Sequence, residues 1–370
     1  MKIVALPEIC EIKTGKMDAN HAVKSGKYRF YTCANQYSMC NTKSFSGPCI
    51  IVPGNGDIGL AFYYDGEFEA YQRTYVLQNI KINPRYLYYH FLYKWRYVNS
   101  DKQFGSTVRY VRMSNFTSYQ VPLFDEAEHV RIVEKIEEAF SELDSGVETL
   151  LKIKKQLEVY KQSVLKNVFS NFTDKQLIKD VSSIVTSGSR GWAKYYSDKG
   201  ARFIRITDLT RDKIVLKNDS IQYVNLPENA EGKRSRLFPN DVLVSITADL
   251  GSIALIPEDI SEAYINQHIA MIRFNNQEQG EFMAWYLKSD YGQKDLLKNK
   301  RGGGKLGLGL DDIRNTPVPK VDDATAISVV REIDARLSVC DSIEKIVNET
   351  LSRSDALRQS ILKEAFEGRL

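Results

Sequence analysis

The chain repeats itself, and that constrains its fold more than any other feature. Residues 162–166 read Gln-Ser-Val-Leu-Lys and residues 359–363 read Gln-Ser-Ile-Leu-Lys, 197 positions later. The same interval pairs Val121-Pro122 with Val318-Pro319, Asp144 with Asp341 and Phe169 with Phe366. An unbroken interval over roughly fifty residues marks a duplicated unit rather than chance. Upstream the interval changes as loops differ in length. Arg29-Phe30 matches Arg202-Phe203, 173 apart, and Glu69-Ala70-Tyr71 matches Glu262-Ala263-Tyr264, 193 apart. Each repeat is a variable region followed by a well-matched tail, and about two dozen more residues sit in the second variable region.

The tails have the pattern of long helices. In the first, Ile132, Ile136, Phe140, Leu143, Val147, Leu150, Leu157 and Val164 recur at steps of three and four, the spacing of a helix buried along one seam. Its twin carries Ile333, Leu337, Cys340, Val347, Leu351 and Ile361. Both tails lack proline and begin just after one, Pro122 or Pro319, and Asp125 with Glu128 forms a capping pair. Residues 125–144 carry eight acids against Arg131 and Lys135, whereas 152–166 carry five lysines against Glu158. That gradient suits the helix dipole. It also favours antiparallel pairing of two helices of about 45 residues, some 65 Å long, with parallel packing as the alternative.

The variable regions are read as mainly β. Ser46–Pro53, Phe238–Ser245, Tyr75-Val76-Leu77 and Ile253–Pro257 are short apolar runs bracketed by turn residues. Aromatic-rich helical stretches interrupt them at Pro84–Tyr97 and Glu281–Leu287. The expected class is α+β: two mainly-β domains, residues 1–122 and 173–318, with long helices at 123–172 and 319–370 forming an antiparallel coiled coil about a pseudo-twofold axis.

Composition narrows the function by exclusion. No apolar run approaches the ~18 residues of a membrane span, and the N-terminus meets Glu8 too early for a signal peptide, so the expected location is cytoplasmic. The five cysteines contain no C-x-x-C pair and are expected as reduced, buried or half-buried thiols, with no metal site. A net charge of +4 permits nucleic-acid binding without demanding it. The glycines of Arg301-Gly302-Gly303-Gly304-Lys305 lack the Ser/Thr of a phosphate-binding loop. Glu11-Ile12-Lys13 lacks the upstream acid of a nuclease, and the four histidines have no triad partner at readable spacing. Nothing here reads as a catalytic constellation.

In order and repetition, several stretches resemble the specificity subunit of type I restriction–modification systems over essentially the whole chain. They are Asp241-Val242-Leu243-Val244-Ser245, Gly251-Ser252-Ile253-Ala254, Ile265-Asn266-Gln267-His268, the Gly-rich run before Pro317-Val318-Pro319, and the Gln-Ser-Val/Ile-Leu-Lys helix ends. The first half departs from the pattern, with Gln72-Arg73-Thr74 in place of Ile265–His268 and Gly105-Ser106-Thr107 in place of the longer glycine run.

The resemblance implies a non-catalytic subunit without a cofactor, whose two target-recognition domains each read half of a bipartite, asymmetric site on double-stranded DNA. The helices would set the spacer and dock two adenine methyltransferase subunits, which would use S-adenosylmethionine, and restriction subunits would join them. Other readings stay open: the recognition subunit of a related two-subunit system, a free-standing DNA-binding regulator, or a scaffold without DNA affinity.

Cations interleaved with aromatics and polar groups suit phosphate contact and groove readout, although on sequence alone such stretches are equally well solvated loops. In the first half the candidates are Lys13, Lys16, Arg73, Arg96, Lys102, Ser106, Thr107, Arg109, Tyr110 and Arg112. In the second they are Arg190, Trp192, Arg205, Arg234, Arg236, Asn266, Gln267, Lys298, Lys300, Arg301 and Lys305. Asn266 and Gln267 can pair with adenine, but a residue shared by readers of different sequences is more often structural or backbone-binding.

Overall fold

The computed structural model describes residues 2–101, 103–105, 109–227, 233–301 and 306–369. The chain forms two compact units, one spanning residues 1–151 and 348–370, the other residues 152–347.

Both units have the same β topology. In unit 1 a four-stranded antiparallel sheet runs in the order Glu11–Thr14, Thr74–Gln78, Pro48–Pro53, Phe62–Asp65. Unit 2 matches it with Ser182–Ser187, Ile269–Phe274, Val242–Ser245, Ile253–Leu255. A smaller sheet in unit 1 pairs Tyr28–Tyr31 parallel to Phe68–Ala70 and antiparallel to Ser38–Cys40. In unit 2, Ala201–Ile204 pairs likewise with Ala263–Ile265 and Tyr223–Val224, and Tyr196–Ser197 adds an outer strand. The additional residues of the second repeat fall mainly between Ile204 and Val242, where unit 1 runs from Tyr31 to Ile50.

Register corrects one sequence match. Phe30 pairs with Glu69 and Tyr31 with Ala70, whereas Phe203 pairs with Tyr264 and Ile204 with Ile265. Ala70 is therefore equivalent to Ile265, 195 positions on, and the Glu-Ala-Tyr triplets lie two residues out of register. Burial agrees, since Glu69 is fully enclosed and accepts from Ser44 Oγ at 2.8 Å, while Glu262 is exposed.

The long helices span Glu126–Phe169 and Asp323–Phe366, 44 residues each. The Glu128 N–H donates to Asp125 Oδ1 at 2.8 Å, the expected cap, and the Thr325 N–H does the same to Asp322 Oδ1 at 2.9 Å. Each helix is divided between the units. Within unit 1, Ile132 and Ile136 near the start of the first helix share a core with Leu362 and Ala365 near the end of the second. Within unit 2, Leu165 and Phe169 share a core with Ala326 and Ile333. Start beside end in both units is antiparallel packing. Charge follows the same rule: Arg358 pairs with Asp144, and Lys161 reaches Asp341 and Glu344, both at 2.7 Å.

The helix ends plug aromatic cores. Phe366 contacts Tyr86, His90 and Tyr93 of the helix Pro84–Asn99, and Phe169 contacts Phe282 and Tyr286 of the helix Gly280–Lys288. Phe169 is enclosed and Phe366 half-buried; full enclosure of such a ring contributes roughly 1.5–3 kcal/mol, and the packing of both rings accounts for the 197-residue interval. Four cysteines are buried, Cys33 is half-buried, and all are free thiols. Among the described residues no helix is long and apolar enough to cross a membrane.

Candidate nucleic-acid interface

One end of each large sheet extends into a polar fringe built the same way in both units. In unit 1 the strand Pro48–Pro53 continues through Gly54-Asn55-Gly56. The Gly54 N–H donates to the Arg73 carbonyl at 2.9 Å, the Val111 N–H to the Gly54 carbonyl at 2.8 Å, and the Gly56 N–H to the Arg109 carbonyl at 3.1 Å. Phe104 and Tyr110 then exchange backbone bonds of 3.0 and 2.9 Å. Each bond has a counterpart in unit 2. Ile246 donates to His268 at 2.9 Å, Leu308 to Ile246 at 2.9 Å and Ala248 to Leu306 at 3.3 Å, and Arg301 and Gly307 exchange bonds of 3.0 and 2.8 Å. Phe104 and Tyr110 in the basic stretch 94–112 therefore hold the place of Arg301 and Gly307 beside the matching patch of the second half.

Two glycines make this geometry possible. A Cβ on Gly15 would lie 2.0 Å from the Ala70 carbonyl oxygen, and one on Gly188 would lie 1.9 Å from that of Ile265. Only glycine lets the first strand approach the chain as it turns into the fringe.

The unit 1 fringe encloses a cleft of about 430 Å³ lined by residues that include Asn55, Gln72, Arg73, Tyr110 and Arg112. The Arg112 guanidinium stacks 4.0 Å from the Phe104 ring centroid and donates to Tyr110 Oη at 3.0 Å, while Arg109 donates to Gln103 at 3.2 Å. Stacking holds the Arg112 fork flat without using up its donors. In unit 2 the fringe carries Thr247, Gln267, His268 and Arg301. His268 Nδ1 lies 2.6 Å from Thr247 Oγ1, and Gln267 Nε2 lies 2.8 Å from His268 Nε2. Arg301 is largely exposed and donates to Asp312 at 2.9 Å, and Lys298 and Lys300 are exposed beside it. Cations, amides and hydroxyls at one edge can hold phosphates and offer donor–acceptor pairs to base edges.

The fringe collects Arg73, Arg109, Tyr110, Arg112, Gln267 and Arg301 from the sequence candidates. Lys16 follows Gly15 and is exposed, and Arg190 lies exposed just beyond Gly188. Lys13 is exposed beside Glu11 at 3.3 Å, Arg96 pairs with Asp57 at 2.8 Å, and Arg234 and Arg236 are exposed away from the ladder.

Three candidates have structural roles instead. Trp192 is buried, its ring 5.5 Å from Phe203 and 5.3 Å from Tyr264, with no face left for a base. Arg205 is spent on Asp208 at 3.1 Å and the Ser220 carbonyl at 2.8 Å. Asn266 is enclosed, and its Oδ1 accepts from the His268 N–H at 3.1 Å, shaping the turn. Lys102, Ser106, Thr107 and Lys305 lie outside the described residues, as do Gly302, Gly303 and Gly304.

Sequence reasoning missed Asn55 and Gln72. Asn55 Oδ1 is enclosed with no hydrogen-bond partner among the described residues. Gln72 takes the position of Gln267 once the register above is applied, a match hidden by the misaligned triplet. Among the described residues, no three His, Cys, Asp or Glu side chains cluster to hold a metal.

A family model described as the type I restriction modification DNA specificity domain matches residues 1–159 and 175–328. The specificity subunit of the type I restriction enzyme EcoDI of Escherichia coli is 27% identical, over 100% of this chain and 88% of its own. A chain from a type I R-M system, solved to examine complex assembly and conformational transition, superposes with a TM-score of 0.77 at 17% identity, covering 100% of this chain and 98% of the other. The HsdS subunit from Thermoanaerobacter tengcongensis gives 0.58 at 16% identity, with 100% and 97% covered. At these identities the two structures speak for the fold.

Proposed function

The chain belongs to the type I restriction modification DNA specificity family, and on that premise we propose that it selects the DNA sequence for a type I restriction–modification complex. Each unit reads one half of a bipartite site in double-stranded DNA. The observation that carries this reading is the repetition of one polar fringe, bond for bond, at the same end of the large sheet in both units. Two like readers on one chain suit two separated half-sites, as the two halves of a symmetric dimer do.

Methylation and cleavage belong to partner subunits. Two adenine methyltransferase subunits, supplied with S-adenosylmethionine, dock on the long helices, restriction subunits join them, and the assembly works in the cytoplasm. The helices act as a coiled-coil ruler for the unread spacer. This chain contributes phosphate contacts from Arg109, Arg112, Lys298 and Lys300, and base readout from the amides between them.

The test is single-molecule sequencing for methyladenine in cells that express the chain with its methyltransferase, against cells lacking the chain. A split asymmetric motif that depends on the chain is expected, and exchanging residues 1–122 for those of a relative should change one half alone. Methylation indifferent to removal of the chain would overturn the proposal.

A further inference from the structure

We propose that Gln72 and Gln267 are equivalent base-reading residues of the two units, each with its amide held ready to pair with an adenine edge. The inference rests on the DNA-specificity reading above and adds which side chains discriminate and for which base.

The two glutamines share one place in the fold. Tyr31 pairs with Ala70 and Ile204 with Ile265, so the second residue after each pair is a glutamine, followed by Arg73 or His268, whose carbonyls accept from Gly54 and Ile246. Their amides are anchored by unrelated groups to the same effect. Gln72 Nε2 donates to Asp18 Oδ1 at 3.1 Å, and a carboxylate there accepts only. Gln267 Nε2 lies 2.8 Å from His268 Nε2. An amide nitrogen only donates, so it calls for the His268 tautomer protonated at Nδ1, in which Nε2 accepts and Nδ1 donates to Thr247 Oγ1 at 2.6 Å.

Each anchor takes one amide N–H, leaving the second N–H and Oε1 for a ligand. That pair complements N7 and the N6 amino group of adenine in the major groove. An unanchored amide can turn over and exchange donor for acceptor, whereas the Asp18 carboxylate fixes the Gln72 amide and His268, in its Nδ1–H tautomer, fixes that of Gln267. Asp18 and His268 are thus positioning residues.

The experiment uses the full chain with its methyltransferase and reads the methylated motif genome-wide. Gln72→Ala should relax one A·T position in one half of the motif, lowering discrimination there by about fivefold to a hundredfold, with the other half unchanged as the control for folding. Gln267→Ala should do the same to the other half. Asp18→Asn, at an exposed residue, should relax the Gln72 position more weakly, because an asparagine can accept or donate and no longer dictates the amide's orientation. If Gln267→Ala abolishes methylation through misfolding, Gln72→Ala and Asp18→Asn decide the matter alone. A motif unchanged at every position, even with methylation lowered evenly at all sites, would make the glutamines phosphate contacts and overturn the proposal. So would relaxation at a G·C position. Failure of the underlying reading looks different, because the unaltered chain would then direct no split motif at all.

Discussion

Arg273 and Asp241 meet fork to fork at the end of the unit 2 sheet opposite the fringe, with Nε 2.8 Å from Oδ1 and Nη2 2.6 Å from Oδ2. Asp241 is almost fully enclosed, and burial pushes its carboxyl above the ordinary range while Arg273 pulls the other way. Removing one partner of such a pair strands a buried charge. Arg273→Met is expected to destabilise unit 2 by about 3–5 kcal/mol, and Arg273→Met with Asp241→Leu by much less. Denaturant unfolding of the two variants measures the difference, and equal losses would show that the pair is not what matters.

Arg109 is expected to act on phosphate alone. Arg109→Ala in the assembled complex should reduce the slope of log affinity against log salt by about 0.9 and leave the motif unchanged. Binding titrations over a range of salt check the first point and methylation sequencing the second.

Gly188→Ala should disable one half of recognition, because the added Cβ would meet the backbone oxygens of Ile265 at 1.9 Å and Asn266 at 2.5 Å. Gly15→Ala should disable the other half. Gly146→Ala is the control: it lies in the first long helix with open space around it, and should raise stability by up to about 1 kcal/mol. Limited proteolysis alongside motif sequencing distinguishes the three.

Unit 1 should weaken in acid through His90. Burial lowers its pKa to about 3, with Lys94 adding to the effect, and Nδ1 lies 3.0 Å from Tyr119 Oη. Below about pH 6.5 the unfolded chain binds a proton that the folded unit refuses, so stability is full above that pH and falls toward pH 3, by at most about tenfold in the folding constant per unit. His90→Gln should flatten this slope in unfolding curves measured between pH 7 and 4.

Much of this architecture was legible in the residues. Phe169 and Phe366 kept their interval because each closes an aromatic core, and the charge gradient along 125–166 anticipated the pairing of Lys161 with Asp341. The site was less legible. The matched triplets at Glu69 and Glu262 differ from the true register by two residues, and strand side chains alternate with period two, so the slip leaves the pattern of faces unchanged. Gln72 was lost in that slip. Trp192 and Arg205 resembled readers by type alone, and only tertiary packing shows that their surfaces are already in use.

The division of the long helices reverses the order in which the units can be finished during synthesis. Unit 2 is one continuous stretch, residues 152–347, whereas unit 1 draws on residues 348–370 as well. The reader encoded first must wait, its aromatic core unplugged, until Phe366 leaves the ribosome, after unit 2 has all its parts. A chain interrupted near residue 347 would carry one closed reader and one open, greasy one, a difference that a protease pulse on stalled chains would detect. Completion of a chain able to recognise both half-sites is thereby tied to translation of the helical turn that carries Phe366.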